Sequence, residues 1–331
     1  MIENKELFII ENDEPTTKNT FPIIAQLGIL SLVLIGIFTT LYLSRSDGNV
    51  LTNETPQNQT YEANIPVVPQ KIEDISLTAN AAYVWDVRSQ RALYSKNATE
   101  ELPLASITKL MTALLTYELM GQDEKATISA NAIKQEGSSG LSVGERMGIE
   151  ELTELALVSS SNDAAYALAA NVGELLGDQD PTSQFVQAMN IRAEELGLTT
   201  LHYKNMTGLD ISTTVPGAIG SAKDISFLME YIITNYPEIL KPTQQSAARI
   251  YNTAGSYHEI NNTNEIALEI PNLIGSKTGY TDLAGGNLTV AFDAGMNRPI
   301  IITVLGSTRE ERFSDVLKLV DAVQESVGQN N

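Results

Sequence analysis

The chain has 331 residues, 43% of them hydrophobic, and carries 21 Lys and Arg against 41 Asp and Glu, a formal charge of −20. Its length and apolar content suffice for one large domain or two modest ones, and so acidic a field disfavours a nucleic-acid partner. There is no cysteine, which excludes disulfides, thiolate metal sites and cysteine nucleophiles.

Residues 1–20 are polar and acidic, and no charge then appears from Asn19 to Ser44. Within that stretch 21–43 is apolar on every face, long enough at about 1.5 Å per residue to span a hydrocarbon core of about 30 Å. A cleaved signal peptide has a shorter apolar run, about 7–15 residues, after a basic start; here the leader is acidic and TTLYLSRS offers no A-x-A site. The expectation is an uncleaved transmembrane anchor at 21–43 with a short tail at 1–20. Residues 44–75 read as a flexible linker, with Pro56, Pro66 and Pro69 among Asn, Gln and Thr. Flexible, such a tether spans roughly 30 Å; stretched, it reaches about 100 Å.

The folded domain is expected over 76–331. Beyond residue 75 there are 17 basic and 31 acidic residues, so the domain itself carries −14. The stretch from Ala81 to Asn97 alternates as two strands around a polar turn at Ser89 and Gln90. Ser106 to Met120 has helical spacing, with Leu110, Ala113, Leu114 and Tyr117 on one side. Further helices are predicted over 150–157, 163–176, 185–196 and 222–234. Lys277 opens a strand, and 288–292 and 300–305 read as strands around a turn at 295–298. An amphipathic helix over 313–327 closes the chain. Strands at both ends around a helical middle predict an α+β fold, its sheet assembled from the two ends of the domain.

Three short segments bear chemically useful groups. Ser106 and Lys109 are three apart, hence on one helix face, at a terminus where the helix dipole favours a developing alkoxide. A serine hydroxyl needs a base to become a nucleophile, and a lysine whose pKa is depressed by burial serves. Taken alone, S-x-x-K equally describes a helix cap and a surface lysine. Ser160 and Asn162 lie between two predicted helices and suit a proton relay and an amide-binding group, or equally a serine-rich helix cap. Lys277, Thr278 and Gly279 suit carboxylate recognition with close backbone approach, yet K-T-G by itself is common. The two histidines, His202 and His258, are 56 residues apart and neither lies near a nucleophile elbow.

In order along one chain, the three segments resemble the S-x-x-K, S-x-N and K-T-G motifs of the penicillin-binding protein and serine β-lactamase superfamily. More narrowly, the chain resembles the low-molecular-mass D-alanyl-D-alanine carboxypeptidases from Leu77 to Val327, through PLASITKLMTALL, GSSGLSVGE, NDAAYALA, FVQAMNIRAEELGLTTLHYKNMTGLD and VLGSTREERFSDVLKLV. The resemblance implies a β-lactamase/transpeptidase-like fold, an antiparallel sheet with helices on its faces and a mostly helical subdomain. It implies Ser106 as nucleophile, Lys109 as its base and Ser160 as proton relay, with Asn162, Lys277, Thr278 and Gly279 binding substrate. Backbone N–H groups of Ser106 and Tyr280 would form the oxyanion hole, and Arg309 is a candidate for the substrate carboxylate. Peptidoglycan stem peptides are the implied partner, with β-lactam antibiotics as covalent inhibitors, the catalytic domain outside the cytoplasmic membrane, and no metal or organic cofactor. Several members carry a further β-rich domain and a C-terminal amphipathic anchor, which the N-terminal span would replace here. The motifs leave open a D-alanyl endopeptidase. A serine β-lactamase would need a deacylating glutamate, for which Glu194 and Glu195 stand at the appropriate separation from the second motif. A catalytically silent wall-binding module is the remaining reading.

Overall fold

The computed structural model describes residues 71–72, 75–137 and 139–328. The expected tail at 1–20, the span at 21–43 and all of the linker except Lys71, Ile72 and Ile75 lie outside them. Among the described residues no helix is long and apolar enough to cross a membrane.

Among the described residues, twelve strands and six α-helices follow in chain order. They are β1 (Ala81–Asp86), β2 (Arg91–Lys96), β3 (Leu102–Pro103), α1 (Lys109–Leu119), β4 (Lys125–Thr127), β5 (Arg146–Gly148), α2 (Ile149–Val158), α3 (Asn162–Gly173) and α4 (Pro181–Glu195). After them come β6 (His202–Tyr203), β7 (Ala218–Gly220), α5 (Ala222–Asn235), β8 (Ala247–Tyr251), β9 (Tyr257–Asn261), β10 (Leu273–Thr281), β11 (Gly285–Asp293), β12 (Pro299–Ser307) and α6 (Glu311–Gly328). The main sheet has the order β10-β11-β12-β1-β2, and its pairs are antiparallel. The first hairpin of the domain is thus set beside its last strand, as the strand distribution predicts. The carboxylate of Asp315 fastens the junction, accepting from Thr78 N and Ala79 N at 3.0 and 2.8 Å and from Ser307 Oγ at 2.8 Å.

All six residues of β1 are buried, because helices cover both faces of the sheet. Successive side chains point to opposite faces. Ala81, Tyr83 and Trp85 therefore join Leu228, Met229 and Ile232 of α5, while Ala82 and Val84 join Val316, Leu319, Val320 and Val323 of α6. A third cluster, with Leu152, Leu155, Leu168 and Met147, holds α2, α3 and the β4–β5 hairpin together as a separate, mostly helical region. The cleft between that region and the edge strand β10 is where the three motifs meet.

The differences from the predicted elements are local. Residues 105–108 form a single 3-10 turn and α1 begins only at Lys109. The helix expected from residue 185 begins at Pro181, because Asp180 caps it by accepting from Ser183 N at 2.8 Å. The cap of α3 is Ser161, whose hydroxyl accepts from Ala164 N at 3.0 Å; Ser160 and Asn162 on either side of it remain available to the cleft. Lys277 lies in the middle of β10 and not at its start. The β8–β9 hairpin is an element that the sequence reading did not separate. At the domain's beginning, Ile72 is buried and its N–H donates to Leu93 O at 2.8 Å.

Candidate active site

The chain leaves β3 and turns sharply at Ala105, whose φ of 48° is left-handed, a strained conformation for a residue with a Cβ. The turn carries Ser106, half-buried, to the mouth of the cleft. Lys109 follows within the protein, fully buried, its Nζ 2.8 Å from Ser106 Oγ. The same nitrogen donates to Asn162 Oδ1 at 2.7 Å and to the carbonyl of Thr207 at 2.9 Å. Burial lowers the Lys109 pKa from 10.5 to about 7. A neutral amine has two N–H donors and one lone pair. Two neighbours, Asn162 Oδ1 and Thr207 O, only accept, so they take both donors and leave the lone pair for the Ser106 hydroxyl. The geometry thus suits Lys109 to receive the Ser106 proton.

The partners of Lys109 are themselves held. Asn162 Nδ2 donates to Glu136 O at 2.7 Å, which orients its amide. Thr207 sits in a loop closed by Asn205, whose Oδ1 accepts from Thr207 N and Gly208 N at 3.1 and 2.7 Å. Gly208 has φ +80°, and a Cβ there would overlap the Ala105 carbonyl. Only glycine lets this loop lie against the turn that bears Ser106.

Ser160, at φ 61°, is placed by the turn between α2 and α3. Its hydroxyl accepts from Lys277 Nζ at 2.9 Å, and that nitrogen also donates to Thr278 O at 2.9 Å. Lys277 is 1% exposed. Burial, followed by the charges of Lys109 and Arg312, pushes its pKa well below 10.5; a bound anion would offset this and restore the ammonium. Thr278 is buried, its hydroxyl 2.6 Å from that of Thr263. Gly279 lies abreast of Ser106: a Cβ there would stand 2.8 Å from Leu104 O and 3.2 Å from Ile107 N. Asn287 on the neighbouring strand locks this approach, donating to Pro103 O and Leu104 O at 2.9 and 3.0 Å while accepting from Gly306 N at 2.8 Å.

Tyr280 is exposed, and Arg309, also exposed, places its guanidinium 5.3 Å from the centre of the Tyr280 ring. A second arginine, which sequence reasoning passed over, is the buried one. Arg312 donates from Nη1 to Gly279 O at 2.8 Å, and its Nε has no hydrogen-bond partner among the described residues. Burial, then the charge of Arg309, lowers its pKa to about 10. Ser106, Lys109, Ser160, Asn162, Lys277, Thr278 and Gly279 thus converge in one cleft.

Comparison with known proteins sets this constellation in its family. A family model described as D-alanyl-D-alanine carboxypeptidase matches residues 67–309. This chain belongs to the D-alanyl-D-alanine carboxypeptidase family. Its curated relatives include a D-alanyl-D-alanine carboxypeptidase of Bacillus subtilis, 31% identical over 76% of this chain and 64% of the relative. A D-alanyl-D-alanine endopeptidase of Pseudomonas aeruginosa is 29% identical over 88% of this chain and 86% of its own length. The chain therefore spans less than two-thirds of the Bacillus relative. Among solved structures, penicillin-binding protein D2 of Listeria monocytogenes in its ampicillin-bound form is 30% identical, covering 76% of this chain and 98% of that one with a TM-score of 0.62. The α+β fold of the family is the penicillin-binding protein fold.

Outside the cleft, Glu194 and Glu195 are exposed at the end of α4, where Glu195 pairs with Arg192 at 3.0 Å. His258 bonds Glu145 at 2.7 Å, and His202 is exposed on β6. The groups that sequence reasoning missed are Asn205, Thr207 and Gly208, which shape the Lys109 pocket, and Thr263, Asn287 and Arg312, which brace β10. Only the N-x-x-G of Asn205–Gly208 carried a local signal, that of a side-chain-closed turn.

Proposed function

We propose that the protein is a serine-type D-alanyl-D-alanine carboxypeptidase acting on peptidoglycan stem peptides through an acyl-enzyme on Ser106. The observation that carries this reading is the Ser106 hydroxyl 2.8 Å from a buried lysine amine whose other two bonds go to acceptors. Ser106 Oγ attacks the carbonyl carbon between the two terminal D-alanines as its proton passes to Lys109 Nζ. The oxyanion is held by the N–H groups of Ser106 and Tyr280, which act where the charge develops. The C–N bond then breaks as Ser160 relays a proton to the leaving D-alanine amine. Water attacks the ester and regenerates Ser106. Asn162 holds the substrate backbone, and Thr278 grips the terminal carboxylate. Lys277 and Arg312 lend positive potential from beneath, and Arg309 adds to it from the rim.

Family membership supports stem peptides as substrate, and the ampicillin-bound Listeria relative supports β-lactams as covalent inhibitors. The apolar run at 21–43 supports a single-pass membrane anchor with the domain extracytoplasmic, carried on the 44–75 tether. The matched endopeptidase of Pseudomonas favours one second reading, cleavage of D-alanyl cross-links. Incubation with purified muropeptides followed by mass spectrometry separates the two. Loss of one alanine from pentapeptides is expected; conversion of dimers to monomers without it would establish the endopeptidase. Ser106→Ala should abolish alanine release, and full activity in that variant would refute the mechanism.

A further inference from the structure

The β8–β9 hairpin touches both walls of the cleft. At its base Thr263, two residues beyond β9, donates from N to Val158 O at 3.0 Å, and its hydroxyl lies 2.6 Å from that of Thr278. Val158 ends α2, two residues before Ser160. Toward its tip the hairpin meets segment 139–145, which also reaches the start of α3. Ser139 donates to Asp163 Oδ2 from N at 3.3 Å and from Oγ at 2.8 Å. Asp163 is buried and directly follows Asn162, the side chain that takes one of the two Lys109 N–H donors. The segment thus bears on the base of the reaction.

A carboxylate holds the hairpin tip to this segment. Glu145 Oε1 accepts from His258 Nε2 at 2.7 Å and from Asn252 Nδ2 at 2.8 Å, while Oε2 accepts from Ser142 N at 2.9 Å. Burial opposes the charge on Glu145, but the hydrogen bonds from Asn252, His258 and Ser142 outweigh it and hold its pKa below the ordinary value. An ionised carboxylate only accepts, so His258 Nε2 carries the hydrogen. The His258 ring also lies beside Gly140, where an added Cβ would stand 3.8 Å from Nδ1. A cavity of about 440 Å³, bounded by Ser142, Val143, Glu145, Tyr257 and His258, separates tip and segment. Hydrogen bonds rather than apolar packing therefore join them there, with Thr253 N to Arg146 O at 2.9 Å added by the backbone. Gly140 and Gly144 have φ of +76° and +80°, and glycine lends its backbone no stiffness, so the position of the segment is imposed from outside it.

We propose that His258 and Glu145 are positioning residues for acyl transfer. Their bond clamps the β8–β9 hairpin to segment 139–145, and through Ser139 and Asp163 it fixes Asn162 opposite Lys109. The same hairpin braces Thr278 through Thr263, so one clamp sets the second and third motifs relative to each other. The proposal rests on the carboxypeptidase reading above and adds groups that touch neither the substrate nor the reacting atoms.

The test uses the full chain in detergent and the stem pentapeptide L-Ala-γ-D-Glu-L-Lys-D-Ala-D-Ala, with alanine release read well below each variant's unfolding midpoint. His258→Phe keeps a ring beside Gly140 and loses the donor; His258→Gln keeps an N–H donor and loses the ring. Asn252→Asp keeps the oxygen that closes the hairpin turn on Ala254 N and Ser256 N but sets a carboxylate against Glu145. Ile260→Val loosens the buried side of the same hairpin and leaves the clamp intact. His258→Phe and Asn252→Asp should each lower kcat about tenfold, the size of one hydrogen bond to a charged group, with KM within about threefold. His258→Gln should stay within about threefold of the unaltered chain in kcat, and Ile260→Val within about twofold. Unchanged kcat in either of the first two variants, once folded, would overturn the clamp. So would an equal loss in Ile260→Val, or a loss in His258→Gln as deep as in His258→Phe. Each of these results leaves the carboxypeptidase reading standing, whereas no alanine release by the unaltered chain would overturn both.

Discussion

The pH at which Ser106 becomes reactive follows from the burial of Lys109. The amine must be neutral to accept the serine proton, so the acylation rate tracks its deprotonated fraction. At the ordinary lysine value, about one amine in three thousand is neutral at pH 7. With the pKa lowered to about 7, about half are neutral at that pH, a gain of more than about a thousandfold in reactive enzyme. The sign is fixed by the group: protonation on the acid side removes the base, so the rate falls as pH drops through about 7 and is level above it. The assay is the second-order rate of labelling by a fluorescent penicillin between pH 5.5 and 9.5, with the unfolding midpoint followed at each pH. The expected profile climbs about tenfold per pH unit at the acid end and bends near 7. A profile that still climbs beyond pH 9, or one that is flat throughout, would refute Lys109 as the base. Lys109→Arg is the companion perturbation. Arginine stays charged across this range, so labelling should fall by roughly a thousandfold or more and show no bend near 7.

Four further outcomes follow from the packing around β10. Gly279→Ala puts a Cβ 2.8 Å from Leu104 O; we expect a loss of about 1–3 kcal/mol in denaturant unfolding and a larger proportional loss of labelling, since the strand is pushed from Ser106. Asn287→Ala loses three hydrogen bonds and leaves the Leu104 carbonyl with the longer, 3.3 Å bond from Ile107 N, and should cost about 1–3 kcal/mol by urea titration; a change under about 0.5 kcal/mol would show that the clamp is not structural. Arg312→Ala removes the buried guanidinium that supports Gly279 O, so alanine release should fall at least about tenfold in kcat/KM. Arg309→Ala, which loses an exposed cation–π contact, should cost less than about threefold, and the reverse ranking would make Arg309 the principal carboxylate contact.

The legible parts of this protein are those whose signal is periodic or whose chemistry is borne by side-chain type. Buried runs such as 300–305 read as strands because every face of a central strand is covered. Ser106 and Lys109 read as a pair because three residues make one helical turn. The 3-10 turn at 105–108 was hidden, since nothing local to Ala105 announces a left-handed φ that packing against Gly208 and Gly279 imposes. Arg309 and Arg312 are equivalent to the eye, both following the last strand. Only the fold decides that Arg312 points inward to Gly279 O while Arg309 lies over Tyr280.

What the sequence by itself determined was the order of the three motifs, the strand–helix–strand plan and the identities of the reacting groups, because these are properties of residue type and spacing. Tertiary structure alone decided their strength. A lysine three residues after a serine is an ordinary surface cation until α1 is buried, Asn162 arrives from 53 residues away and the Thr207 carbonyl from 98. Those two acceptors and the loss of solvent turn the lysine into a base, and neither is visible from the motif.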